Sequence, residues 1–115
     1  MDEEQLKSQL EKLKKRIHKT ENQDELEYVE FLTQLLEDTF AIAINSLYPY
    51  SNEEITKLPT KYENWQLRVC YYLNKNADLL GIRSYSENNI RIDLSSDHIP
   101  VSYMNELIPY VGVIE

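Results

Sequence analysis

The chain has 115 residues, 42% of them hydrophobic and 28% charged, which is one domain's worth with an ordinary soluble composition. Only two glycines and four prolines argue against a turn-rich all-β fold, and the single cysteine, Cys70, excludes an internal disulfide. The formal net charge is −8, and no apolar run reaches the ~18–20 residues that span a bilayer, so the expected chain is soluble and works where it is made.

Residues 3–18 place Leu6, Leu10, Leu13 and Ile17 at spacings of four, three and four, a stripe along one side of a helix. Glu3 and Glu4 come early and Lys14, Lys15 and Arg16 late, which suits the helix dipole. Two heptads are too few for an independent coiled coil, so this helix packs on its own domain or on a neighbour. Residues 20–23 (TENQ) have capping-box form. From Asp24 the apolar positions Leu26, Val29, Leu32, Leu35, Leu36, Phe40, Ala43 and Leu47 recur every three or four residues. They predict a central core helix that ends before Pro49 and is buried on more than one side over residues 40–44.

Residues 50–60 are a connector, with a short turn capped near Ser51. A third capping box at residues 60–63 (TKYE) opens a helix that turns Tyr62, Trp65, Val69, Tyr72, Leu73, Ala77 and Leu80 inward and stops at Gly81. Cys70 lies beside that stripe as a small buried hydrophobe. Beyond Gly81 the period changes to two. Ile90, Ile92 and Leu94 alternate with Arg91, Asp93 and Ser95, and Asn88 and Asn89 suit a turn. An extended arm or hairpin follows, with residues 82–85 as the opposing strand, and a lone hairpin needs support from elsewhere. Residues 95–97 (SSD) offer N-caps for a short helix over residues 99–107, with Pro100 in its first turn. Residues 110–115 (YVGVIE) form an apolar, β-prone tail.

Charge is unevenly spread. Residues 1–20 carry six basic residues against four acids, a net of +2; residues 21–60 carry one against nine, a net of −8; residues 61–115 carry five against seven, a net of −2. So acidic a middle disfavours sequence-independent nucleic-acid binding by the whole surface, which depends on Lys and Arg neutralising phosphates. His18 and His98 are eighty positions apart and have no partners at metal-ligand spacing. Gly81 and Gly112 cannot make a phosphate loop, and no nucleophile motif occurs. The expectation is a protein without catalytic residues, metal or cofactor. Tyrosine is the unusual residue, nine against two Phe and one Trp, and Tyr85, Tyr103 and Tyr110 are assigned to contacts between subunits.

The block KYENWQLR (residues 61–68), then YLNK (72–75), Gly81 and SYSENNIR (84–91) resembles the head–tail connector, or head-completion, family of long-tailed bacteriophages. Ser84, Ser86, Glu87, Asn88 and Ile90 match that family's Ser-His-Ser-Glu-Asn-Gly-Ile segment. Tyr85 replaces its His, and Asn89 its Gly, a mild departure because Asn tolerates the left-handed region. LIPYVGV (107–113) is similar to the family's closing Ile-Pro-x-Val pattern. The resemblance spans about residues 24–113, is specific over residues 61–91, and leaves residues 1–20 outside.

It implies a mainly α subunit, a small bundle of three to four helices with an extended arm or β-hairpin around residues 82–94 and a C-terminal tail. Residues 1–20 form an N-terminal amphipathic helix ahead of a connector-like domain of residues 21–115. Such subunits, assembled in the host cytoplasm, join a dodecameric ring beneath the portal at the virion's capsid–tail junction, in solution or only on the portal. The ring extends the DNA channel without sequence-specific binding and receives the stopper and tail. The expected contacts are an arm of Arg83, Ser84, Tyr85, Ser86, Glu87, Asn88, Asn89, Ile90, Arg91 and Ile92, and a tail of Tyr110, Val111, Val113 and Ile114. The alternative is a cytosolic helical-bundle regulator or adaptor that grips one protein partner through its Leu6, Leu10, Leu13 and Ile17 stripe. A third reading, nucleic-acid binding by the basic run at residues 12–19, faces the acidic remainder of the chain.

Overall fold

The computed structural model describes residues 1–17, 25–49, 54–86, 89–92 and 94–108, and the fold is mainly α. Helices α1 (Glu3–Ile17), α2 (Glu25–Leu47) and α3 (Glu63–Lys75) pack on one another and enclose the core. Two one-turn helices, α4 (Ala77–Leu80) and α5 (Val101–Met104), flank an antiparallel hairpin of β1 (Arg83–Ser86) and β2 (Asn89–Ile92). The expected capping box at residues 20–23 and the turn near Ser51 lie outside the described residues.

Asp2 starts α1, its carboxylate accepting the Gln5 backbone N–H at 3.0 Å. The helix packs on its own domain, with the expected stripe against the core, but its most buried line is turned away from the centre of that stripe. Gln5, Gln9 and Leu13, successive at i+4, are its buried residues, whereas Leu6, Leu10 and Ile17 are only partly buried against the core. The docking face is turned toward the glutamines because α3 and the connector offer them partners. Gln5 pairs with Leu58 in both directions, Nε2 donating to its carbonyl at 2.8 Å and Oε1 accepting its N–H at 2.9 Å. Gln9 Nε2 donates to the Glu63 carbonyl and to Gln66 Oε1, both at 2.9 Å. Gln66 in turn donates to the Leu36 carbonyl at 2.8 Å and to Thr39 Oγ1 at 3.2 Å. A ladder of side-chain amides thus runs from connector to α1, to α3, to α2, through a part of the interior where an unpaired amide would be costly.

Helix α2 fills the centre. Phe31, Leu32, Leu35, Leu36, Phe40, Ala43 and Leu47 are buried, and the buried arc is widest over residues 31–40 rather than at 40–44. Thr39 is buried among them because its hydroxyl bonds back to the Leu35 carbonyl at 2.8 Å, leaving no unsatisfied donor. Its oxygen also lies 3.4 Å from Cys70 Sγ. Complete burial pushes the Cys70 thiol up to about 12, so it packs as a hydrophobe and is not a nucleophile at neutral pH.

The expected capping box at Thr60 is not formed. Residues 60–62 make a 3-10 turn behind Pro59, with no side-chain cap, and α3 follows. Tyr62, Trp65, Val69, Leu73 and Ala77 are buried as the spacing predicts, with Tyr72 and Leu80 partly so. The single long helix expected over residues 63–80 is broken at Asn76, where φ is −109° and ψ is 17°. There the Asn76 side-chain amide donates to the Tyr72 carbonyl at 2.9 Å, duplicating the backbone bond at 3.0 Å and loosening the helical ladder.

Replacing Gln66 with Ala removes the shared rung of the ladder and leaves a void beneath α1. Urea unfolding is expected to give a loss of about 2–4 kcal/mol, against less than about 0.5 kcal/mol for Lys14→Ala on the outer face. A Gln66 loss as small as the Lys14 control would show that the ladder does not hold α1.

Candidate functional site

Gly81 directs everything after α4. Its φ of 69° lies in the left-handed region, and both Gly81 and Ile82 donate to the Ala77 carbonyl, closing the helix and reversing the chain. A Cβ there would touch nothing within 4 Å, so what favours glycine is the backbone conformation alone, worth about 1–2 kcal/mol. Ile82 then drops fully into the core and pins the root of the hairpin.

The arm residues Arg83, Ser84, Tyr85 and Ser86 form β1, and Asn89, Ile90, Arg91 and Ile92 form β2. Arg83 pairs with Ile92, Ser84 with Arg91, Tyr85 with Ile90 and Ser86 with Asn89. The hairpin is less free than an arm with little core to rest on, because β2 lies against α2. Glu87 and Asn88, and the tail residues Tyr110, Val111, Val113 and Ile114, lie outside the described residues.

The expected helix over residues 99–107 shrinks to α5, preceded by a 3-10 turn at Ser96–His98. His98 is a cap: its Nδ1 accepts the Ser95 N–H at 3.0 Å, which accounts for this histidine structurally. The segment is held less by its own helicity than by side chains of α3. Trp65 Nε1 donates to the Tyr103 carbonyl at 2.8 Å, and Tyr62 Oη accepts the Ile108 N–H at 3.4 Å. Arg68 donates to both Glu106 carboxylate oxygens, at 3.0 and 2.6 Å, and its guanidinium sits 5.6 Å from the Tyr103 ring. Tyr103, assigned from sequence to a contact between subunits, is partly buried and meets Tyr72 edge-on at 6.2 Å within its own chain. These contacts carry the chain to Ile108 on the surface of α3.

Among the described residues, Tyr71 is moderately exposed and three aliphatic side chains stand largely in solvent: Leu79 is 88% exposed, Val101 72% and Ile108 66%. Sequence reasoning did not single them out, because an apolar residue beside a helical stripe reads as core. They lie at the root of the hairpin and along the C-terminal segment, the regions assigned to assembly. Among the described residues no three metal-capable side chains cluster, and the depressions are open grooves. The groove between α1 and the start of α3 has a volume of about 380 Å³ and mixes Lys12 and Arg16 with Glu63 and Asn64. Gln9 also lines it, and Gln9 Oε1 has no hydrogen-bond partner among the described residues.

Compared with family models, curated proteins and solved structures, the chain finds no match in any of the three.

The bonds from Arg68 hold the Glu106 carboxyl below its ordinary 4.5. A carboxyl depressed in the folded state adds stability above its unfolded value and loses it as the pH falls through the folded one. Arg68→Ala is therefore expected to return the Glu106 titration, followed by NMR, to its ordinary range. The stability cost should stay within about 1 kcal/mol at neutral pH and vanish in acid. A cost that persists in acid would assign the contact to Arg68 stacking on Tyr103 instead.

Proposed function

We propose that this chain is a head–tail connector subunit of a long-tailed bacteriophage. In this reading it assembles as a ring on the portal, extends the DNA channel and receives the stopper and tail, with no catalytic step. One observation carries the reading beyond the resemblance at residues 61–91. The segment that bears the resemblance is a hairpin of only two strands, so each strand has an outer edge without a strand partner among the described residues. An open edge recruits a strand from another chain through main-chain hydrogen bonds, and a ring requires each subunit to present two different faces of this kind. The exposed Leu79, Val101 and Ile108 add apolar area beside the hairpin and the C-terminal segment.

The charge fits the same role. A subunit of net charge −8 leaves a channel wall with little attraction for the phosphate backbone, so DNA passes without adhering. The alternative, a regulator gripping one partner through α1, needs the Leu6, Leu10, Leu13 and Ile17 stripe free. Leu13 is fully buried and the other three pack against the chain's own core, so that handle is already occupied.

Replacing residues 84–89 with a Gly/Ser run, or deleting residues 110–115, is expected to leave DNA-filled heads that fail to acquire tails. Electron microscopy of particles from a phage carrying the altered gene reads the outcome. Tailed particles at normal yield from both variants would remove the connector reading of these segments.

A further inference from the structure

The C-terminal segment and the hairpin leave α3 at opposite ends. Tyr103 meets Tyr72, Glu106 is held by Arg68, and the Ile108 N–H donates to Tyr62 Oη at 3.4 Å, so the chain runs back toward the start of α3. The hairpin instead emerges beyond Gly81, after α3 and α4 have carried the chain away from Tyr62. At 1.5 Å per residue these two helices span about 25 Å. Only Pro109 separates Ile108 from Tyr110, a reach of about 7 Å at full extension. A four-residue strand covers about 13 Å, so even a hairpin folded straight back along α3 would start too far off for residues 110–114 (YVGVI) of the same chain to lie along it. Those five residues carry no charge and are rich in the aromatic and β-branched types that suit strands. Pro109, which has no N–H to give, is tolerated at the start of a strand.

The other half of the contact is β1. It is β2 that lies against α2, and β1 has no comparable neighbour except β2 among the described residues. The four consecutive pairs from Arg83 to Ser86 contain no bulge and the strand no proline, two of the devices that normally blunt an open edge. Alternate residues of β1 thus turn N–H and C=O groups toward an edge without a strand partner. Leu79, just before the hairpin, and Ile108, just before residues 110–114, are largely exposed, so each side of the contact brings an aliphatic side chain to be covered.

We infer that residues 110–114 of one subunit add a third strand to the outer edge of β1 in a second copy of this chain. Main-chain hydrogen bonds supply the affinity, and the alternate side chains of the added strand supply the choice of partner. Giver and receiver are different segments at opposite ends of α3. The contact is therefore head-to-tail, each copy gives one strand and receives one, and the series can close as a ring. This pairing deepens the proposed connector role and rests on it for the choice of a second copy as partner. Two β1 edges pairing with each other are the less favoured arrangement, because that contact would close as a dimer and leave residues 110–114 unused.

The test uses the purified full chain at high concentration, carrying single added cysteines and mixed in pairs under mild oxidation. One partner is S84C or Y85C and the other V111C or V113C; the native Cys70 is buried and does not compete. Disulfides between the two partners are expected at a yield roughly tenfold above that of K14C, on the outer face of α1, with the same tail variants, since the bond needs Cα atoms within about 7 Å. The yield should drop to the control level in V111P/G112P/V113C, whose prolines remove main-chain donors without touching the core. No link above the control, or links that persist with the prolines, overturns the pairing. So does a disulfide that closes within one chain in S84C/V113C at low concentration, or S84C linking chiefly to itself in the mixtures. If the links fail while deletion of residues 110–115 still abolishes tails, this pairing falls and the connector role stands. Tailed particles at normal yield from both altered phages remove that role whatever the links show.

Discussion

The interaction on which the rest of this fold depends is the ladder of amides from Gln5 through Gln9 and Gln66 to Thr39. Helix α1 has only one fully buried apolar side chain, Leu13, so its hydrophobic contribution is modest, about 2 kcal/mol for that residue. What fixes its position is that moving it would strand buried amide groups, each costing about 1–3 kcal/mol without a partner. The ladder ties three helices and the connector into one body. It also sets which side of α1 faces solvent, and so where the basic residues point.

A second constraint acts at the other end. Gly81 reverses the chain, Ile82 anchors it, and the hairpin leaves α4 against α2. The C-terminal segment, too short to be stable as a helix, is held to α3 by Trp65, Tyr62 and Arg68. Packed parts thus lead up to the two segments that the proposed function assigns to assembly. An element meant to pair with a neighbour gains from being aimed in advance, since less ordering then remains to be done on binding.

Much of this was legible in the residues. The apolar spacing of α2 and α3, Pro49 as a stop, Gly81 as a left-handed cap and the change to period two after it all lie where periodicity and turn chemistry put them. Three features were not legible. Glutamine has no core signature, so Gln5 and Gln9 were passed over for the leucines beside them; only the partners on Leu58, Glu63 and Gln66 make them the inner face. The break at Asn76 comes from a side chain competing for one carbonyl, an effect weaker than any period. The Thr60 capping box failed because Pro59 and a 3-10 turn begin the helix in another way. For the candidate site, the hairpin was within reach of the sequence but its register was not: the turn was expected at Asn88 and Asn89 and the first strand at residues 82–85, whereas Asn89 is a strand residue paired with Ser86 and β1 runs Arg83–Ser86. The exposure of Leu79, Val101 and Ile108 was not legible either, because burial is a property of the assembled fold.

The proposed connector role gives the hairpin edge and the apolar rim a common use, as surfaces for neighbouring subunits to cover. Electron cryomicroscopy of the full chain mixed with the portal of a long-tailed phage tests the proposed connector role most directly. A ring of added density at the portal's outer end, with neighbouring subunits meeting at the hairpin, is the expected result. Portal particles without added density, under conditions where the chain is folded and in excess, would contradict it.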